Sequence, residues 1–242
     1  MRVVTLSLVV LALATPAAAA QRRILAFTKT AGFQHDSFPA AVAALQAQSW
    51  LAVDVTPDAS AFTGTNLARY KAVVFLLTTG DVLDAAQQRA FALYVRRGGG
   101  YVGIHSAADT EYDWPFYGRL MGAYFKGHPA VQPATVYVGP GFAAAARVPR
   151  AWTRTDEWYD FRTNPRGHVR VLATVDESSY AGGTMGADHP LVWCHHVEKG
   201  RAWYSAMGHT AESWSDPLFR RHVLLGIRFA AQGLRDGCPS RS

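Results

Sequence analysis

Residues 72–104 constrain the fold most. Ala72 to Leu77 is a continuous apolar run, and the loop Thr78 to Asp81 follows it. Leu83 to Arg97 then has the spacing of an amphipathic helix, which Gly98-Gly99-Gly100 ends before a second apolar run, Tyr101 to Ile104. Short runs without polar alternation suit strands buried on both faces, and such strands need helices on both sides of their sheet. The same grammar occurs earlier in the chain. Ile24 to Thr28 reads as a strand and Thr30 to Asp36 as a loop. Ser37 is an N-cap, and a helix runs over about 38–49 with Pro39 in its first turn. Leu51 to Thr56 alternates apolar and polar residues, as a strand with one exposed face does. This order predicts an α/β, doubly wound, mostly parallel sheet with helices on both faces and right-handed crossovers.

The second half is less regular. Thr135 to Val138, Val169 to Val175, Leu191 to Val197 and Ala202 to Ala206 read as strands, and Pro217 to Gln232 as a closing helix. The alanine-rich stretch 142–146 reads as a surface loop or a helical turn. With neither linker nor repeat, residues 21–242 are expected to form one domain, with about 235–242 as a disordered tail.

The amino terminus reads differently. Arg2, the apolar stretch Val3 to Ala14, Pro16 and the alanines 17–20 have the three parts of a secretory signal peptide. Cleavage before Gln21 would leave a periplasmic or secreted protein with no membrane anchor, because no later stretch approaches the roughly 18 apolar residues that span a bilayer. An apolar fraction of 49% with 17% charged residues suits a globular chain rather than a disordered one. The net charge of +6 comes from scattered arginines and not from a continuous basic track, so no nucleic-acid partner is expected. Two cysteines exclude a disulfide framework. Cys194, inside an apolar run, reads as a buried small hydrophobe; Cys238 lies in the polar tail. One bridge between them is permitted in an oxidising compartment.

The polar residues fall at the ends of the predicted strands. His35 and Asp36 follow the first strand, and His105, Ser106 and Asp109 follow Tyr101 to Ile104. His209 follows Ala202 to Ala206. Ligands of open parallel sheets bind outside the carboxyl ends of the strands, so these loops are expected to carry their histidines to one edge. Gly103-Ile104-His105-Ser106-Ala107 resembles a nucleophile elbow with histidine at its tip. Histidine suits acid, base or metal-ligand roles near neutral pH; no serine-hydrolase motif surrounds Ser106. Lys126-Gly127-His128-Pro129 is a tight turn, Asp156-Glu157-Trp158-Tyr159-Asp160 joins carboxylates to aromatics, and Asp188-His189-Pro190 precedes a strand. Trp158 and Tyr159 are the candidates for a sugar-stacking platform. His168 and His222 read as surface residues.

The stretches Thr28 to Ser37, Gly98 to Thr110, Gly127 to Pro129, Asp156 to Tyr159, His189 to Trp193 and Gly200 to Thr210 resemble, in order, those of the ThuA-like family, named for trehalose utilisation. The resemblance implies a flavodoxin-like fold related to class I glutamine amidotransferases. Those enzymes carry cysteine at the elbow where this chain has His105, so cysteine-dependent amidotransferase chemistry is not implied. The family's links are to carbohydrate metabolism, including routes through 3-keto sugars. It also implies that His35, His105, His128, Glu157, His189 and His209 lie in or near one pocket.

The sequence therefore predicts an enzyme acting on a small carbohydrate or keto-sugar by hydrolysis, lyase chemistry or isomerisation. His105 and Glu157 would be its acid–base pair, and His35, Asp36, Ser106, Asp109, His128, Trp158, Tyr159, His189 and His209 would lie around the substrate. The cofactor is either none or a divalent metal ion, with His35, His105, His128 and His209 as candidate ligands. The competing reading is a non-catalytic sugar-binding accessory protein.

Overall fold

The computed structural model describes residues 21–233 and Cys238. The expectations for the signal segment 1–20 and for the tail lie outside the described residues, Cys238 excepted.

The parallel part of the sheet is built from β1 (Arg22–Phe27), β2 (Leu51–Thr56), β3 (Ala72–Leu76) and β4 (Gly100–Ile104), with α1 (Phe38–Gln46), α2 (Gly64–Leu67) and α3 (Ala85–Arg96) between them. All five residues of β3 and of β4 are buried, as their unbroken apolar runs predict. Asp84 caps α3 by accepting the amides of Ala86 and Gln87, and the Gln87 side-chain oxygen in turn accepts the Asp84 amide.

The chain continues through α4 (Pro115–Met121), β5 (Phe125–Gly127), β6 (Gln132–Val138), α5 (Pro140–Ala146), β7 (Ala151–Asp156), β8 (Asp160–Phe161), β9 (Arg170–Val175), β10 (His189–Val197) and β11 (Gly200–Ser205). The short α6 (Ala211–Ser215) precedes the closing helix α7 (Pro217–Gln232). The nine-stranded sheet has the order β2-β1-β3-β4-β11-β10-β9-β6-β7, and β5 pairs with β8 in a separate ribbon. Strands β2, β1, β3, β4 and β11 are parallel, whereas β10, β9, β6 and β7 extend the sheet in antiparallel fashion. Taken alone, the parallel strands have the 2-1-3-4-5 order of flavodoxin-like folds, and the order reverses between β1 and β3.

The helix α7 covers β11 and β4. Its Gly226 lies directly on the Trp203 indole, where a Cβ would come within 2.2 Å of the ring, so only glycine allows this approach. Gly100 is equally constrained, because a Cβ there would lie 2.3 Å from the Ala230 carbonyl oxygen.

Two sequence expectations are corrected, and one question the sequence left open is settled. The alanine-rich stretch is the helix α5, which buries Phe142, Ala143 and Ala146. His222 is not on the surface: it is 1% exposed, with its ring nitrogens 2.8 Å from the Phe219 carbonyl and 3.0 Å from Ser205 Oγ. Cys194 is buried as expected, but it is also joined to Cys238, which is itself buried. Among the described residues no helix is long and apolar enough to cross a membrane.

Candidate functional site

Four turns deliver the site. The loop after β1 carries His35 and is pinned to the turn after β3: the Ala31 amide donates to the Thr79 carbonyl at 2.7 Å, and Thr79 Oγ1 donates to the Phe33 carbonyl at 2.8 Å. His105 is the first residue beyond β4 and has a φ of +50°, left-handed backbone that is costly for a residue with a Cβ. Two bonds hold it there. The Tyr204 hydroxyl donates to its carbonyl at 2.8 Å, and its Nδ1 lies 2.6 Å from the Ala206 carbonyl. A carbonyl only accepts, so Nδ1 carries the proton and Nε2 faces inward.

His209 follows β11, and Glu157 follows β7. The Asp156 carboxylate joins them. It accepts the amides of Gly208 and His209, each at 3.0 Å, and the amide of Glu157 at 3.0 Å. Arg154 Nη2 also donates to it at 3.0 Å.

The side chains meet at the Glu157 carboxylate. Its Oε2 lies 3.3 Å from His105 Nε2 and 3.2 Å from His209 Nδ1, and its Oε1 lies 3.1 Å from His128 Nδ1. His105 Nε2 and His209 Nδ1 are 3.2 Å apart. His35 packs edge-on to both rings, with centroids 4.8 Å from His105 and 5.1 Å from His209. The cluster meets solvent at His209 and His128: the side chain of His105 is 0% exposed, against 24% for His209 and 40% for His128. Phe33, 65% exposed, packs its ring edge-on to His35.

The electrostatics follow from these contacts. Burial alone would raise the Glu157 carboxyl, but the hydrogen bonds and charges of His105 and His209 outweigh it and hold the group well below the usual carboxylate range. The bond to Glu157 raises His209. His35 is pushed down to about 3, chiefly by burial and then by its neighbours His105 and His209, so it is neutral. The pocket thus combines an ionised carboxylate, an imidazole inclined to hold a proton and an imidazole that resists one.

The remaining predicted site residues are distributed as follows. Ser106 is buried beneath His35, with its Oγ 3.5 Å from His35 Nδ1. Asp36 is exposed beside the His35 loop. Asp109 accepts the Tyr112 hydroxyl at 2.6 Å. Trp158 offers no face to a ligand, being fully buried with its indole N–H donated to the Gln132 carbonyl. Tyr159 is 3% exposed and packs at 4.2 Å from both His105 and Phe125, so it walls the pocket rather than serving as an open platform. His189 stands behind that wall, buried, with Nε2 at 2.8 Å from the Tyr159 carbonyl and Nδ1 at 2.8 Å from Glu177. Sequence reasoning missed the organising part played by Asp156. Its position two residues after Arg154 in β7 marks a buried ion pair, but nothing in the sequence points to the amides it holds.

Fold and site together define a flavodoxin-like α/β protein with a histidine–carboxylate pocket at the carboxyl edge of its parallel strands. The chain belongs to the ThuA family, described as trehalose utilisation, whose profile matches residues 23–230. It is similar to a ThuA-like protein from Bacteroides uniformis, with 24% identity, 91% of this chain and 96% of the other covered, and a TM-score of 0.73. A ThuA-like protein from Parabacteroides merdae is similar at 21% identity, 89% and 91% coverage and a TM-score of 0.70. A β-galactosidase from Rahnella sp. R3 shares the fold over 31% of its own length, at 17% identity and a TM-score of 0.56. A search of curated proteins found no match.

Proposed function

We propose that this protein is an exported enzyme of carbohydrate or 3-keto-sugar catabolism, in which Glu157 and His209 move protons at the mouth of the pocket. The contact that carries this reading is the 3.2 Å approach of His209 Nδ1 to Glu157 Oε2, at the boundary between the buried cluster and solvent. It pairs a carboxylate held ionised with an imidazole inclined to protonation, the divergent tuning that acid–base chemistry uses. A substrate reaches these two groups and His128 before it reaches His105, whose burial and locked Nδ1 suit it to orienting Glu157. The family's link to use of a disaccharide supports a sugar as substrate. Export is supported by the signal-peptide pattern and by the Cys194–Cys238 bridge, which persists best in an oxidising compartment.

The test is product analysis on a panel of ordinary and 3-keto glucosides, with calorimetric binding in parallel. Turnover of at least one of them is expected, with Glu157→Gln lowering it by at least ~100-fold in protein that remains folded at the assay temperature. Binding without product from any member would replace this reading with the sugar-binding one. Undiminished turnover by folded Glu157→Gln protein would also overturn it.

A further inference from the structure

We infer that His105, His209 and Glu157 form a binding site for one divalent transition-metal ion, with His35 as the fourth protein ligand. The inference rests on the same reading of this pocket as a functional site, with the ion taking the place of the proton between His209 and Glu157 when it is bound, and its support is geometric. His105 Nε2, His209 Nδ1 and Glu157 Oε2 form a nearly equilateral triangle with edges of 3.2, 3.2 and 3.3 Å. A zinc-like ion bonds nitrogen and oxygen at about 2.0–2.1 Å, which places tetrahedral ligands about 3.3 Å apart. The three atoms therefore lie as one face of a coordination tetrahedron. A ligand atom of His35 belongs to the same group, all of whose members lie within 4.8 Å of one another.

A proton alone serves this triangle poorly. Hydrogen on His209 Nδ1 satisfies the two edges that meet at that nitrogen. With Nδ1 committed to Ala206, the third edge sets His105 Nε2 3.3 Å from a buried carboxylate oxygen and is attractive only with a second proton or another cation between them. A cation at the centre turns all of these contacts into attractions.

The surroundings have the form that metal sites require. A metal-bound imidazole characteristically donates its other N–H to a carbonyl or carboxylate. His105 does so to Ala206. The free Glu157 oxygen is held by His128 at 3.1 Å, and Asp156 fixes the His209 backbone. The second close group of potential ligands, Asp160, Glu177 and His189, lacks this character. Its carboxylates already accept the amides of Thr184, Met185 and Gly186 and need no cation to satisfy them. A donor set of imidazoles and one carboxylate selects zinc, manganese, iron, cobalt or nickel over calcium and magnesium, which prefer all-oxygen sites.

The experiment uses untagged protein comprising residues 21–242, stripped with a chelator and titrated calorimetrically with Zn²⁺. A Co²⁺ titration followed by visible absorption reports the ligand field. One equivalent is expected to bind, and His209→Ala and Glu157→Gln are each expected to weaken binding by at least ~100-fold. Leu93→Ala, exposed on α3, should leave it unchanged. Absence of binding to the wild type would overturn the metal site, and so would binding indifferent to both His209→Ala and Glu157→Gln. Turnover by metal-free protein that binds no metal would overturn this inference while sparing the enzymatic reading. Stoichiometric, Glu157-dependent binding without turnover of any sugar would support the metal site and overturn the enzymatic reading.

Discussion

Asp156 Oδ1 accepts the backbone N–H of His209 at 3.0 Å, so the carboxylate next to Glu157 in sequence fixes the imidazole opposite it in space. The strand β7 and the turn after β11 are locked together at this point. The Glu157–His209 separation is thereby set by buried backbone rather than by two mobile side chains.

Asp156→Asn tests that lock. An asparagine must turn an N–H₂ toward donors that now meet oxygen, while Arg154 loses its buried partner. Disrupting such a pair costs about 3 kcal/mol or more. Urea denaturation should show a loss of that order. Amide hydrogen exchange at residues 208 and 209 should accelerate while exchange in β1 and β3 holds; unchanged exchange at 208 and 209 would refute the lock.

The pH dependence of the Glu157–His209 pair has a defined sign. The lowered Glu157 group contributes stability that is complete above about pH 4.3 and is lost as pH falls through its folded value. The raised His209 group contributes stability that is complete below about pH 6.5 and is lost as pH rises through its folded value. The stability difference between wild type and His209→Gln is therefore expected to be greatest between these limits and to shrink on the alkaline side. Denaturant titrations at a series of pH values measure it directly, and a flat difference would dissolve the pair.

His222 predicts the opposite acid behaviour. Its value is pushed down to about 3, chiefly by burial and then by the nearby Arg154 charge. The unfolded chain binds a proton there that the folded chain refuses, so acidification below about pH 6.5 costs up to about 1.4 kcal/mol per pH unit from this group. His222→Gln removes that proton from the balance. Its stability should fall less steeply toward pH 4 than that of the wild type, even if it is lower at pH 7.

The Cys194–Cys238 bridge ties the end of the chain to the centre of β10 across 44 residues. Closing a loop of that length restricts the unfolded chain by an amount typically worth about 2–4 kcal/mol. Cys238→Ser is expected to lower stability by that order in thermal or chemical unfolding. A reductant should act on the wild type and leave the variant unaffected.

The parallel half of the fold was legible because its code is local. The runs 72–77 and 101–104 are apolar throughout and have glycine or capping residues at their ends, so β3, α3 and β4 fall where the pattern places them. The antiparallel half was only partly legible. The strand β7 buries Trp152, Arg154 and Asp156 on its inner face, and two charged residues in three hide an inward stripe from any hydrophobicity pattern. The histidines of the site were legible from their places after strands. Trp158 was misleading: its ring looks like a ligand platform by composition, yet it lies in the core because its indole N–H finds a carbonyl there. The joining part of Asp156 depends on amides 52 and 53 residues away, a relation that no local pattern carries.

The last of the described strands, β11, lies in the interior of the sheet, between β4 and β10. The strand that joins the parallel and antiparallel halves is therefore missing until residues 200–205 have been made. A nascent or prematurely terminated chain would have His35 and His105 but neither this joining strand nor the turn that carries His209. Competence should thus arise in a single late event, and no shortened amino-terminal product should retain a portion of it.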